Sequence, residues 1–500
     1  MESKVYDVVI IGSGLGGLEC GAILSKEGYN VCVLEQHQIF GGCLQSFNRN
    51  GRVIDTGIHY IGSMGEGQIM RNYLKYFGIF NNLNIKRLDD DFDIFSFGDS
   101  SFSYKQGLEN FKASLIDKFI DQADGIREYC RKIKEVGSTI SVEVHKSGKL
   151  TRGSIENLSI SVNEFINSCV CNEELRSILG ANNMLYGGGK YTADLYHHAM
   201  ISYSNIEGPY RVIGGTQQIA DLLIKQIISN GGVVINNSKV TSINVADSGA
   251  YVESINVAGT YRVFAKSFIS NLHPATTYNM LTKSPLIKKA YKSRLNLLPN
   301  SIGFFSLYLL IKPGKFKYIN SNHYLNRDYN VWAAPLSTSC LEINTAFLSM
   351  QPDMQNSNYT SVVSIMVPID YTLFTKWEHT DIKSRDSEYR ELKRSITNKI
   401  IEFVSTFYPT LNESIERVYS ASPLTYSYYT GTPHGSAYGY LKSYKSALVS
   451  LFSTKTKLNN LYLTGQNINV HGALGVTVTA ASTCANFLGE EYLAKRIGAM

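Results

Sequence analysis

Five hundred residues, 44% of them hydrophobic, are enough chain for two interleaved domains with an ordinary core and too many for one small domain. A formal net charge of +6 is too small to argue for nucleic acid, and favours an anionic membrane surface only slightly. No apolar run reaches the roughly 18 residues that span a bilayer, and the eight cysteines show no metal-site spacing, so no bound metal is expected.

The chain opens with VYDVVIIGSGLGGLECGAILSKEGYNVCVLEQHQIFGGC, residues 5–43. Val5 to Ile11 reads as a buried parallel strand. Gly12, Gly14 and Gly17 form G-x-G-x-x-G at the turn that leaves it. Gly12 allows a tight turn, Gly14 lets the backbone approach a pyrophosphate, and Gly17 lets the next helix pack on the sheet. That helix is predicted from Leu15 to Lys26, with its free N–H groups facing the phosphates. Val31 to Leu34 is the second strand, and Glu35, followed by Gln36, stands where a carboxylate accepts from a ribose hydroxyl. Gly41, Gly42 and Cys43 come soon after, close enough to run under the same pyrophosphate and ribityl chain. Since strand 1 begins almost at the first residue, no signal peptide is expected. A reducing cytoplasm is the simplest setting, with peripheral contact at the inner face of a membrane as the variant.

Further along, RVIGGTQQIADLLIKQIISNGG (211–232) places Ile219, Leu222, Leu223 and Ile227 on one helical face. VVINNSKVTSINV and YVESINVAGTYRVFAKSFISN then read as strands with a small antiparallel crossover, and Val240 opens one of them. NNLYLTGQNINVHGALGVTVTAASTCANFLG near the C-terminus is a strand, a glycine-bearing loop and a helix. Gly465, Gln466, Gly475 and Val476 lie in that motif, and Gly475 is expected to precede the helix whose N–H end stabilises a reduced flavin. These pieces predict a dinucleotide-binding domain from 1–85, 205–285 and 455–500. The insertions 86–204 and 286–454 are expected to form a substrate-capping domain. The first insertion shows helical pattern at Phe111, Leu115, Phe119, Ile126, Tyr129, Ile133 and Val136. The second has strands, including GFFSLYLLI (303–311), then a helix through Tyr389, Leu392, Ile396, Ile400, Phe403 and Phe407.

The paired glycine motifs resemble those of two-dinucleotide-binding-domain flavoproteins, in which FAD lies extended across an α/β, Rossmann-like fold. DTGIHYIG (55–62), RVIGGTQQIAD (211–221), SPLTYSYYTGTPHGSAYGY (422–440) and LYLTGQNINVHGALG (461–475) resemble the carotenoid and retinoid oxidoreductase family. GGCLQSF and DTGIHYIGSMGEG look most like its retinol saturase branch, the all-trans-retinol 13,14-reductases, rather than its phytoene desaturases. The resemblance implies an FAD enzyme that moves hydride to or from the double bonds of a lipophilic polyene or isoprenoid, with NAD(P)H at most a transient reductant. A carotenoid-type isomerase using reduced FAD, and a flavin-binding protein without turnover, are the alternatives. Amine oxidases commonly carry Gly-Gly-Arg where this chain has Gly41-Gly42-Cys43, and no cysteine is evidently placed for a covalent flavin bond.

His59 and Tyr60 follow the Gly42 segment and are the candidates to orient or protonate a substrate held against flavin N5. A histidine and tyrosine simply bonded inside the core is an equal alternative. Tyr428, Tyr429, His434 and Tyr438 form a second aromatic cluster that either lines a tunnel or packs on a strand, and His471 is a further proton-donor candidate. SPLIKKAYKSRLNLL (284–298) sets Leu286, Ala290, Leu295 and Leu298 beside Lys288, Lys289, Lys292 and Arg294. It is either a lipid-facing helix or a solvated one.

Overall fold

The computed structural model describes residues 5–139, 152–259, 261–338, 340 and 342–500. Strand Tyr6–Ile11, helix Leu15–Lys26 and strand Val31–Leu34 form where the apolar runs and glycines place them. The two strands pair in parallel, Val8 with Val31 and Ile11 with Leu34. Val233–Ile235 adds outside Val31–Leu34. On the other side Tyr261–Ser270 runs parallel to Tyr6–Ile11, and Leu461–Leu463 adds to Phe268–Ser270. One sheet is therefore closed by three distant stretches of chain. The first half of Tyr261–Ser270 also carries an antiparallel extension, Val240–Val245 and Val252–Val257. Val8 to Ile11 and Val31 to Leu34 are at most 2% exposed, as expected for parallel strands covered on both faces. Helix Leu15–Lys26 packs against helices Gln217–Ser229 and Gly472–Leu488. Gly21 makes the first contact possible: a Cβ there would lie 2.8 Å from Ile227 Cδ1.

A second sheet stands over the first. Its strands run in the order 415–421, 303–311, 360–369, 345–352, 322–326, 91–97 and 100–105. Gly303–Ile311 is buried along its whole length, as a central strand with that apolar run should be. Helix Ser387–Phe407 packs Tyr389, Ile396, Ile400 and Phe403 inward. In the first insertion the helical pattern is realised as Leu108–Lys118 and Ala123–Gly137. That pattern omitted the hairpin Asp91–Phe97/Ser100–Lys105, whose alternating DFDIFSF joins the strands of the second insertion through a parallel pairing with Asn322–Asn326. A register shift between Asp91 and Asp93 sits at its start. It leaves Phe92 and Asp93 both buried, with Asp93 on the face of Phe95 and Phe97.

Segment 284–298 forms the short helix Lys289–Leu297. Leu295 is buried in the core and Lys292 donates to the Leu281 carbonyl at 3.1 Å, while only Leu286 and Leu297 of its large apolar side chains are exposed. Its apolar residues thus face the protein rather than forming a lipid-facing stripe. Among the described residues, no helix is long and apolar enough to cross a membrane.

Candidate active site

The groove above the first sheet is made largely of backbone. Gly41 N–H donates to the Ser13 carbonyl at 3.1 Å, which bridges the second glycine pair to the first glycine loop. Gly41 and Gly42 adopt φ values of 113° and 58°, and a Cβ on Gly42 would sit 3.1 Å from Gly14 Cα. Gly17 is required for a different reason. A Cβ there would stand 2.1 Å from the Gly12 carbonyl oxygen, so only glycine lets the helix close on the strand. Gly14 N-caps the helix without any side-chain cap, and no acid lies in the first turn. Helix Gly472–Leu488 begins the same way, with His471 at its N-cap and no capping side chain or acid. Both N-terminal ends line one cleft of about 1200 Å³, part of it open to solvent, so two positive helix ends face the same space. A cradle of glycine backbone with two uncapped helix N-termini fits the phosphates of a dinucleotide.

Glu35 lies behind this loop. One carboxylate oxygen accepts from Ser13 N–H at 3.0 Å and Ser13 Oγ at 2.6 Å, the other from His37 N–H at 2.9 Å. The first oxygen fixes the glycine loop, and the second, with a single bond, keeps acceptor capacity.

Beyond the groove lies a chamber of about 920 Å³. The two spaces share Gly57, Ile58, Phe304, Met366, Tyr438, Gly472 and Ala473 in their walls. The chamber is mainly apolar, with Met184, Leu185, Met200, Ile201 and Phe347 contributing from helices and strands of the two insertions. His59 and Tyr60 are both in its wall. His59 is buried, its Nε2 has no hydrogen-bond partner, and burial together with the Arg211 charge pulls its pKa down to about 3. It is therefore a neutral imidazole. The Tyr60 hydroxyl donates to Asp93 Oδ2 at 3.0 Å, lies 2.8 Å from the Tyr324 hydroxyl and accepts from Asn205 Nδ2 at 3.3 Å. His471 is held neutral by burial, and its ring stacks on His197 at 5.2 Å and meets Tyr438 at 4.5 Å.

Of the residues singled out in the sequence, Gly14, Leu15, Gly41, Gly42, Cys43, Gly465, Gln466 and Val476 line the groove, and Gly475 lines the chamber. Gly12 and Gly17 shape the turn without lining it, Gln36 is exposed, and Val240 opens its strand away from both cavity walls. Gly475 does not precede the helix. The helix starts at Gly472, and Gly475 sits in its first turn because a Cβ there would be 2.7 Å from the Val470 carbonyl carbon. In the aromatic cluster only Tyr438 reaches the cavities. Tyr428 and Tyr429 are nearly half exposed and pack around His37, while exposed His434 stacks on Tyr371. Their segment is a short helix, Pro423–Thr430, which turns Tyr426 inward to the groove and its neighbours outward. Asn271 was missed. It ends strand Tyr261–Ser270, and its side chain fills the space that Cβ atoms on Gly14, Gly16 and Gly465 would occupy. Nothing local in ISNLH marks it.

Residues 10–77 match the family of NAD(P)-binding Rossmann-like domains. Among solved structures the chain resembles an oxidoreductase from Methanosarcina mazei, with 17% identity, 95% of this chain and 98% of that one covered, and a TM-score of 0.61. It also resembles putrescine oxidase, with 13% identity, 97% and 99% coverage and a TM-score of 0.62. The fold and groove define the class: an α/β protein with a Rossmann-like dinucleotide-binding domain. All-trans-retinol 13,14-reductase from Danio rerio is 26% identical over 96% of this chain and 86% of its own length, and that from Rattus norvegicus 28% over 94% and 83%. A prolycopene isomerase from an Oncidium hybrid is 22% identical over 93% and 81%. Over nearly its whole length the chain is thus similar to proteins named as retinol reductases and prolycopene isomerases.

Proposed function

We infer that the protein is an FAD-dependent oxidoreductase acting on a carbon–carbon double bond of a lipophilic polyene or isoprenoid. The observation that carries this reading is the junction of a glycine-walled dinucleotide groove with an apolar chamber across Gly57, Ile58, Phe304, Met366 and Tyr438. The relatives named for all-trans-retinol and prolycopene supply the substrate class. The first-turn N–H groups at Leu15 and Gly16, the Gly41–Cys43 backbone and the start of helix Gly472–Leu488 would hold the cofactor, with Glu35 at its ribose. Bound there, FAD supplies the hydride chemistry. The binding is non-covalent in this reading. Burial pushes the Cys43 thiol up to about 11, so the groove's cysteine carries no thiolate to attack a flavin.

The chamber's side chains do the rest. Ile58, Phe304, Phe347 and Met366 exclude water and lay an apolar chain along the wall at the junction. Tyr60 offers the proton that saturation of a double bond requires. NAD(P)H is at most a passing reductant.

The test is anaerobic incubation of the chemically reduced holoprotein with all-trans-retinol, following product mass and flavin absorbance together. A product heavier by two hydrogens, formed with stoichiometric flavin reoxidation, is expected. An isomerised product of unchanged mass overturns the redox reading in favour of isomerisation. Unchanged retinol beside tightly held flavin favours a flavin-binding protein without turnover on this substrate.

A further inference from the structure

Behind the chamber wall, bonded to the Tyr60 hydroxyl, lies a carboxyl group that an apolar binding site does not need. Asp93 is 1% exposed on the face that Phe95 and Phe97 bury, and Tyr324 stacks on Phe95 at 4.7 Å. A carboxyl group in such surroundings costs stability unless it is neutral or well bonded. Its oxygens are met by the Tyr60 hydroxyl at 3.0 Å and Asn322 Nδ2 at 2.8 Å. Asn322 Oδ1 in turn accepts from Arg211 Nη2 at 3.0 Å. Among the described residues no lysine or arginine pairs with Asp93 directly; Arg211 reaches it through Asn322. Hence Asp93 is attached to the chamber through one hydroxyl, that of Tyr60.

We propose that Asp93 is the proton-holding partner of Tyr60, and that the pair keeps a transferable proton at the chamber wall. This rests on the reading that a double bond is reduced in the chamber. Hydride added to one alkene carbon brings its own electron pair and leaves the π pair on the other carbon. That carbon takes the Tyr60 hydroxyl proton, and the O–H electrons stay on the phenol oxygen. The Asp93 O–H proton then restores the phenol and leaves a carboxylate, which regains a proton from water once the chamber empties. Asp93 acts through Tyr60 and does not touch substrate, so it is a positioning and proton-holding residue.

The surroundings set when the proton is present. Burial pushes the Asp93 carboxyl up to about 7, opposed by the bonds from Asn322 and Tyr60 and by the Arg211 charge. The groups facing it are Tyr60 from segment 57–62, Tyr104 from strand Ser100–Lys105, Tyr324 from strand Asn322–Asn326 and Arg211 from strand Tyr210–Val212. Burial holds all three phenols well above their ordinary range, so they stay protonated at neutral pH and Arg211 stays charged. Only Asp93 in this group changes charge near neutrality, and turnover should fall as pH rises through about 7.

Two measurements on the full-length holoprotein decide the matter. Infrared difference spectra across neutral pH should show a carboxylic C=O band lost as pH rises through about 7, missing in Asp93→Asn and shifted in Tyr60→Phe. Stopped-flow reoxidation by all-trans-retinol should slow about 10²-fold in either variant. The double variant should be no slower than either alone, because the residues act as a unit. Asp93→Asn should also lose the fall in rate above neutrality, whereas a merely structural loss would leave the profile's shape unchanged. Absence of the band from the wild type, its persistence in Asp93→Asn, or wild-type rates in that variant overturns the proposal. The band in a protein that leaves all-trans-retinol unchanged supports the shared proton and counts instead against the reductase reading.

Discussion

The groove and the chamber hold their contents by different means. The groove is walled by Gly14, Gly16, Gly41, Gly42, Gly465 and Gly472, with two helix ends supplying the charge preference. The chamber beside it is walled by side chains from several distant stretches, including Gly57–Gly62, helix Leu195–Glu207 and the second sheet. A backbone cradle recognises what every dinucleotide shares and tolerates little change, because at Gly14, Gly16, Gly41, Gly42 and Gly465 a Cβ would lie no more than 3.1 Å from a neighbouring atom. A side-chain chamber can be retuned one residue at a time. Substitutions in the groove should therefore act on cofactor retention, and where a backbone atom blocks the new Cβ on folding too, whereas substitutions in the chamber should act mainly on chemistry.

The largest effect is expected at Gly17. Valine there would place Cβ 2.1 Å from the Gly12 carbonyl, a backbone atom that cannot swing aside. Gly17→Val should cost about 4 kcal/mol or more and leave little soluble protein. Gly14→Val sharpens the distinction. Its Cβ would meet the Asn271 amide at 2.8 Å, the far end of a side chain that can move. This variant should stay folded by circular dichroism and purify without flavin. Retention of flavin by soluble Gly14→Val would show that the cradle is wider than the glycines imply.

This division also explains what could be read from the sequence. The first strand, helix and second strand are observed almost to the residue, because G-x-G-x-x-G and the apolar runs act over neighbours in sequence. Resemblance of the glycine motifs located most of the groove. The chamber was legible only where it touches those motifs, at His59, Tyr60, Tyr438, His471 and Gly475. Asp93, Asn205 and Tyr324 meet across more than a hundred residues, on elements with no shared local pattern. The hairpin carrying Asp93 was overlooked because its alternation is broken at the bulge, where Phe92 and Asp93 are buried side by side. Tyr428 and Tyr429 show the opposite case. The aromatic-rich string left a tunnel lining and a packed strand equally open, and helix Pro423–Thr430 turns both side chains partly to solvent instead.

A middle-sized effect is expected at Glu35, the carboxylate that lies behind the glycine loop. Glu35→Ala should weaken FAD binding by about 1.5–3 kcal/mol, or about 10- to 150-fold in Kd, for loss of a charge-assisted hydrogen bond. Ser13 and His37 lose their acceptor as well, so part of this is looser loop order. Glu35→Gln, which keeps the acceptor oxygen for ribose, should recover part of the affinity. Equal losses in both variants, measured by flavin fluorescence titration, would assign the effect to the charge and not to the loop.

The smallest effect is expected at His59, and it separates packing from chemistry inside the chamber. Its folded pKa of about 3 lies well below the ordinary imidazole value of 6.5, so between those values the unfolded chain binds the extra proton and the folded chain does not. Stability therefore rises with pH across that window and is lost as pH falls through it; above about 6.5 the residue contributes no pH dependence. His198 behaves alike at about 3, and His273 and His323 at about 4, so the acid sensitivity is shared by several buried imidazoles. His59→Phe should consequently shallow the drop in thermal midpoint between about pH 6 and pH 4 only in part. At neutral pH a neutral imidazole has no surplus proton to give. Retinol-dependent reoxidation in His59→Phe should then stay within about tenfold of wild type, against the two orders of magnitude expected for Tyr60→Phe. A loss at His59 as large as that at Tyr60, with flavin content and midpoint unchanged, would move the proton donor to the histidine and make Tyr60 and Asp93 part of the wall.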